Sequence, residues 1–219
     1  MHIEILVEDS SGRTLLELLI PEVLGGYGDP HTWRLHSYKG IGRIPRGLVT
    51  TADPEKRMLL DQLPKLLRGY RRSPGIDAVI VIVDTDDRDC SSFLRELKEV
   101  AETCDMADKT LFRLAIEEIE AWYFGDREAL LEAYPRARQN VLDSYVQDNV
   151  CGTWETLADA VYPGGSAAIK KVGWPLPGEL KHQWAEEIGI FMNVDRNVSP
   201  SFCKLRDGLR RLAKSEEHE

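Results

Sequence analysis

The sequence predicts an α/β protein built on a doubly wound, mainly parallel sheet, with a helical C-terminal part. Short apolar runs at 2–7, 78–83 and 110–116 alternate with segments of helical periodicity at 12–23, 54–70 and 92–103, the pattern of βαβ units. The run Ala78-Val79-Ile80-Val81-Ile82-Val83 shows no alternation of apolar and polar residues, as suits a central strand covered on both faces. From Tyr134 onward the pattern is helical and irregular, with helices expected at 153–161, 178–188 and 200–212. The expected organisation is an α/β domain over 1–135 and a helical extension over 136–219 packed on the same domain.

Each element has its own signal. The helix over 12–23 offers Leu15, Leu16, Leu18 and Leu19 to a sheet, and Pro21 is expected to end or kink it. A turn rich in glycine (Gly25, Gly26, Gly28) leads to a strand over 33–38. The next helix starts at Pro54, a favourable first-turn residue, and buries Met58, Leu59, Leu63, Leu66 and Leu67, with Pro64 expected to kink or divide it. Between them, Lys39-Gly40-Ile41-Gly42-Arg43-Ile44-Pro45-Arg46-Gly47 interleaves glycines with bases. Such a loop wraps an anion through backbone N–H groups, or is simply a connector with surface charges. It lacks the Gly-Lys-Ser/Thr of a phosphate-binding P-loop, so ATP binding by this chain is not expected.

Composition narrows the class. At 219 residues and 42% hydrophobic, the chain can bury one core plus a small helical extension. Cys90, Cys104, Cys151 and Cys203 form no Cys-x-x-Cys pair, which fits reduced thiols and excludes a cysteine zinc site. The first strand follows directly on Met1, no signal-like stretch precedes it, and no apolar run approaches membrane-spanning length. A soluble, cytoplasmic protein without a membrane partner is expected. The net charge of −9 is uneven: ten bases face three acids between Arg34 and Arg72, and fifteen acids face six bases between Asp84 and Glu132. A basic segment opposite an acidic edge suits a phosphodiester backbone, although half of those charges also suit the solvated face of the helix after Pro54.

The candidate chemistry lies where strands run out. Glu8 and Asp9 follow the first strand, and Asp84-Thr85-Asp86-Asp87 follows the central one. Carboxyl ends of parallel strands form the ligand-binding edge of an open α/β sheet, and carboxylates gathered there need a cation or a proton to offset their repulsion. Mg²⁺ takes hard oxygen ligands and keeps part of its water shell, so one to three carboxylates suffice. Taken singly, each Asp is equally a turn former or helix cap, and Asp89 with Ser91 and Ser92 suits the cap of the following helix. Glu117, Glu118 and Glu120 follow the 110–116 strand and either reach the same edge or serve a helix N-terminus. The triplet Trp122-Tyr123-Phe124 reads as core. Lys170-Lys171 and Lys181-His182 supply lysines able to stabilise developing negative charge, or ordinary surface lysines.

Strand–Glu8 and, 76 residues later, strand–Asp84-Thr85-Asp86 resemble the Toprim domain of topoisomerases, primases and OLD nucleases. Over nearly the whole chain, Val7-Glu8-Asp9-Ser10-Ser11-Gly12, Lys39-Gly40-Ile41-Gly42, Asp84 to Cys90, Ile116 to Tyr123 and Asn197-Val198-Ser199-Pro200-Ser201-Phe202 are similar to an uncharacterised bacterial family of Toprim-like proteins. The resemblance implies a Toprim/Rossmann-like sheet, Glu8 as general acid/base or metal ligand, and Asp84 and Asp86 as the metal-binding pair. It also implies a neighbouring ATPase of ABC or AAA type in an anti-phage or DNA-maintenance system. Many Toprim domains carry Gly directly after the glutamate where this chain has Asp9.

The expected function is therefore a Mg²⁺-dependent (or Mn²⁺-dependent) nuclease or related phosphodiester-transfer protein, with nucleic acid as partner, DNA ahead of RNA. Glu8, Asp84, Asp86 and Glu120 are the expected metal ligands. Glu8 and Lys181 are the expected catalytic groups, and Lys39, Arg43 and Arg46 the expected nucleic-acid contacts. The alternative is a non-catalytic subunit that docks on an ATPase and senses or anchors nucleic acid.

Overall fold

In the computed structural model, which describes residues 1–49, 54–149 and 152–215, the apolar runs pair into one sheet. Its four strands are β1 (His2–Val7), β2 (Thr32–Ser37), β3 (Ala78–Asp84) and β4 (Thr110–Ala115), ordered β2-β1-β3-β4 and parallel throughout. The unalternating run becomes β3, in the sheet interior, with its residues from Ala78 to Val83 buried.

Helices cover both faces, and the strand side chains sort accordingly. Ile3, Ile5, Val7, Ile80 and Ile82 face α1 (Ser10–Leu24), while Leu6, Val79, Val81 and Val83 face α2 (Leu59–Arg71) and α3 (Cys90–Thr103). This period-two division of side chains makes the sheet doubly wound. The chain leaves β1 through α1 for one edge and later builds β3 and β4 towards the other. The order of strands therefore reverses between β1 and β3, which opens a crevice at their carboxyl ends.

Among the described residues, seven further helices follow: α4 (Ala121–Gly125), α5 (Arg127–Ala133), α6 (Gln139–Ser144), α7 (Thr153–Val161), α8 (Gly165–Val172), α9 (Leu176–Gly189) and α10 (Pro200–Ser215). They complete the cover on the α1 face. Gly189 of α9 lies so close to α1 that an added Cβ would stand 2.8 Å from Leu18 Cδ1. On α10, the Lys204 carbonyl accepts a hydrogen bond from Arg113 Nε of β4 at 2.8 Å. Residues on both sides of position 135 share one apolar cluster that includes Trp122, Trp184 and Phe202. Trp122, Tyr123 and Phe124 are core residues, as expected.

Proline behaves differently from expectation in both helices. Pro21 sits inside α1, which runs on to Leu24 and closes on Gly25 (φ 89) through its N–H to the Pro21 carbonyl. Pro64 lies buried within an undivided α2, its ring filling the core in place of the lost hydrogen bond. The break falls earlier instead. Pro54–Lys56 form a single 3₁₀ turn, Arg57 takes a left-handed φ of 49°, and the helix proper starts at Leu59. Cys90, Cys104 and Cys203 are free thiols, and Cys151 lies outside the described residues. Among the described residues, no helix is long and apolar enough to cross a membrane.

Candidate active site

Glu8 and Asp84 meet in the crevice between β1 and β3. Val7 ends β1 in the core, and the next residue turns out at the strand end, where its carbonyl accepts the Gly40 N–H at 3.1 Å. Glu8 Oε2 accepts the Asp84 backbone N–H at 3.2 Å across the crevice. Asp84 is the last residue of β3, and its Oδ1 is buried with no hydrogen-bond partner. Burial pushes the Glu8 carboxyl up to about 7, with Asp86 and Asp9 adding to the rise against the Asp84 hydrogen bond and Lys181. Asp84 is raised well above the carboxylate range, first by burial and then by Glu8 and Glu120.

A second acidic group comes from the segment after β4. Glu120 is buried, and Glu118 is nearly so. Lys181 of α9 reaches over α1 to them, with Nζ 2.8 Å from Glu118 Oε1 and 3.4 Å from Glu120 Oε2. Burial disfavours the charge on this lysine, but the carboxylates of Glu120, Glu118 and Asp84 outweigh it and hold the ammonium charged. Burial likewise lifts Glu120 to about 7 and raises Glu118, each against the pull of Lys181. Glu118 and Glu120 contact the ammonium, and Glu8 and Asp84 interact with it electrostatically. Burial and mutual repulsion oppose ionising all four carboxyls together.

Other predicted residues take different posts. Asp9 caps α1, with Oδ1 accepting the Gly12 N–H at 2.7 Å and Oδ2 the Ser11 hydroxyl at 2.8 Å. Its carboxylate is thus committed to the helix, the reason an acid can stand next to Glu8. Gly12 is required here: an added Cβ would lie 2.7 Å from Ile119 Cδ1 and 2.9 Å from Val7 Cγ2. Asp86 sits in a left-handed turn (φ 48), exposed, close enough to raise Glu8. Asp89 caps α3 by accepting the Ser92 N–H at 2.8 Å. Glu117 points away from the crevice and accepts hydrogen bonds from Gly152 N, Thr153 N and the Thr153 hydroxyl at the start of α7. Lys170 pairs with Glu155 at 3.0 Å, on α7 and outside this site.

The basic loop is divided. Lys39 lies at the crevice mouth, while Arg46 lines a separate hollow with Glu96 and Glu99 of α3, and Arg43 is exposed. Three of its amides are not open to an anion: Lys39 N–H donates to Arg57 O, Gly40 N–H to Glu8 O and Arg43 N–H to Asp61 Oδ1. Through these bonds the loop braces β1 against α2.

Among the described residues, no three His, Cys, Asp or Glu side chains converge closely enough, as placed, to enclose a metal ion. The donor chemistry still fits a hard cation. Asp84 Oδ1 is an unpartnered buried oxygen beside a second carboxylate, Glu8, and Mg²⁺ needs few protein ligands because it retains water. Glu120, bonded to Lys181, is placed as the lysine's anchor, and Asp86 stands at the rim. Sequence reasoning missed Trp174 and Tyr38, which line the cleft leading to the site; only the fold brings them there.

Compared with protein-family models, curated proteins and solved structures, the chain matches none.

Proposed function

We propose that this protein is a divalent-cation-dependent phosphodiester-transfer enzyme, a nuclease of Toprim-like type. The observation that carries the proposal is the unpartnered, buried Asp84 Oδ1 held beside Glu8 at the point where the strand order reverses, with Lys181 fixed nearby. Mg²⁺ or Mn²⁺ held by Glu8 and Asp84 would supply charge neutralisation and polarisation at a phosphate. Without a cation the Glu8 carboxyl is raised to about 7, and holding one would keep it ionised. Lys181 offers a charged, pre-positioned ammonium to the negative charge that develops on the transferring group. The same Glu8, Asp84 and Asp86 carry the resemblance to the Toprim superfamily, which supports nucleic acid, DNA ahead of RNA, as substrate and an ABC- or AAA-type ATPase as partner in an anti-phage or DNA-maintenance setting.

One observation favours a second reading, a non-catalytic subunit that docks on such an ATPase and anchors nucleic acid: Lys181 already neutralises part of the acidic cluster. Cleavage of DNA and RNA in Mg²⁺ or Mn²⁺, with and without the ATPase, separates the two. Cutting that disappears in Asp84→Asn and Glu8→Gln supports the enzyme. No cutting in any mixture moves the assignment to the anchoring subunit.

A further inference from the structure

Beside the acidic crevice, and sharing Asp9 and Lys181 with it, lies an open cleft of about 680 Å³ whose other walls include Tyr38, Lys39, Trp174 and His182. From it we infer a more specific property, which rests on the phosphodiester-transfer proposal: the cleft is a stacking subsite for one unpaired base of a nucleic-acid strand, so the substrate is single-stranded or locally unpaired.

Trp174 carries the argument. It is 82% exposed, although its indole is the largest apolar surface any side chain can withhold from water. It is also held in place. The corner between α8, which ends at Val172, and α9, which begins at Leu176, contains only Gly173, Trp174 and Pro175. One part of the ring lies on the first turn of α9, where an added Cβ at Gly178 would stand 2.9 Å from its Cη2. The rest of the ring faces the cleft and solvent. An exposed aromatic surface supported along one edge is what a base needs in order to stack, and it favours no base in particular.

The remaining walls combine the carboxylates of Asp9 and Glu179 with Lys39, Lys181 and His182. Lys39 is exposed at the mouth and offers a cation to a phosphate. His182 is hydrogen-bonded to the Ser10 hydroxyl at 2.8 Å, which ties the cleft wall on α9 to the start of α1. Lys181, one residue before, crosses to Glu118 and Glu120. Lys39 lines the same cleft as Trp174, so the phosphate of a base stacked there has a cation within the same cleft. The volume suits a small molecule or a single extruded nucleotide. Paired bases already spend their faces on one another, so only an unpaired nucleotide presents one.

The test is equilibrium binding of a fluorescent DNA strand of about 12 nucleotides, near the site size of such grooves, and of its duplex, to the full chain. Chelator is present so that no cleavage intervenes. The single strand is expected to bind more tightly than the duplex. Trp174→Ala should weaken it about 5- to 100-fold, the range of one base–aromatic stack, and Trp174→Phe should restore most of the loss. Lys39→Ala should flatten the salt dependence by roughly one phosphate contact. Equal single-strand affinity for wild type and Trp174→Ala overturns the subsite. So does a Trp174-dependent affinity for anionic lipid vesicles in place of the oligonucleotide. Cleavage that depends on Asp84 while binding ignores Trp174 overturns the subsite alone. Trp174-dependent binding without cleavage under any condition supports the subsite and overturns the transfer proposal.

Discussion

Replacing Glu8 with Gln should make the metal-free protein more stable at pH 8 and leave it unchanged near pH 4.5. Burial, with Asp86 and Asp9 nearby, raises the Glu8 carboxyl from its ordinary 4.5 to about 7. Between those two values the unfolded chain has released the Glu8 proton while the folded chain keeps it. Folding therefore takes up a proton, and stability falls as the pH rises through that window. At about 1.4 kcal/mol per tenfold change in proton affinity, the loss at pH 8 is about 3 kcal/mol, and solvent reaching the half-buried carboxylate reduces it to about 2 kcal/mol. Gln keeps an oxygen to accept the Asp84 N–H, found at 3.2 Å in the native pair, and removes the charge. For a chain of this length, about 2 kcal/mol corresponds to a rise of about 4–8 °C in Tm. Thermal and urea unfolding of both proteins in chelator, from pH 4.5 to 8, measure the difference. A stability gap that stays flat over that range, or a variant less stable than wild type at pH 8, would refute the reasoning.

The same cluster should respond to cations: millimolar Mg²⁺ or Mn²⁺ at pH 8 is expected to raise the Tm of wild type by mass action, and Asp84→Asn, which removes the charge from the unpartnered oxygen, should abolish the rise; an equal rise in both proteins sinks the assignment. Lys181→Met should cost about 3–5 kcal/mol at pH 8, because Glu118 and Glu120 lose the ammonium now 2.8 and 3.4 Å away. That cost should shrink towards pH 5 as the carboxyls protonate, and urea unfolding that shows a pH-independent loss contradicts it. Gly12→Ala should destabilise by about 1–3 kcal/mol, since its Cβ would meet Ile119 and Val7 inside 3 Å, and calorimetry showing an unchanged Tm would mean that the β1–α1 packing gives way freely.

How far the sequence could be read depended on the range of the interaction concerned. An unbroken apolar run located β3, and helical spacing α7, almost to the residue, because both are local properties of the chain. It misjudged Pro54, since the helix was interrupted by the left-handed Arg57, a backbone conformation that no nearby glycine announces. It left the glycine-rich loop as either an anion-wrapping turn or a connector, because the acceptors of three of its amides, on Arg57, Glu8 and Asp61, lie 18 to 32 positions away in the chain. Asp9 looked like a possible extra ligand, and its capping of Gly12 was legible in the Asp-Ser-Ser-Gly spacing had the helix been started at Ser10.

The sequence by itself determined the α/β class, the central strand and the placement of acids after β1, β3 and β4, because strand ends and the residues that follow them are adjacent in the chain. Tertiary structure alone decided which acids meet. The reversal of strand order set Glu8 against Asp84, α9 carried Lys181 to Glu118 and Glu120, and the α8–α9 corner set Trp174 beside Tyr38 and Lys39. Charge repulsion, burial and stacking act through space, so residues 63 or 76 positions apart acquire a common chemistry only when packing closes the distance between them.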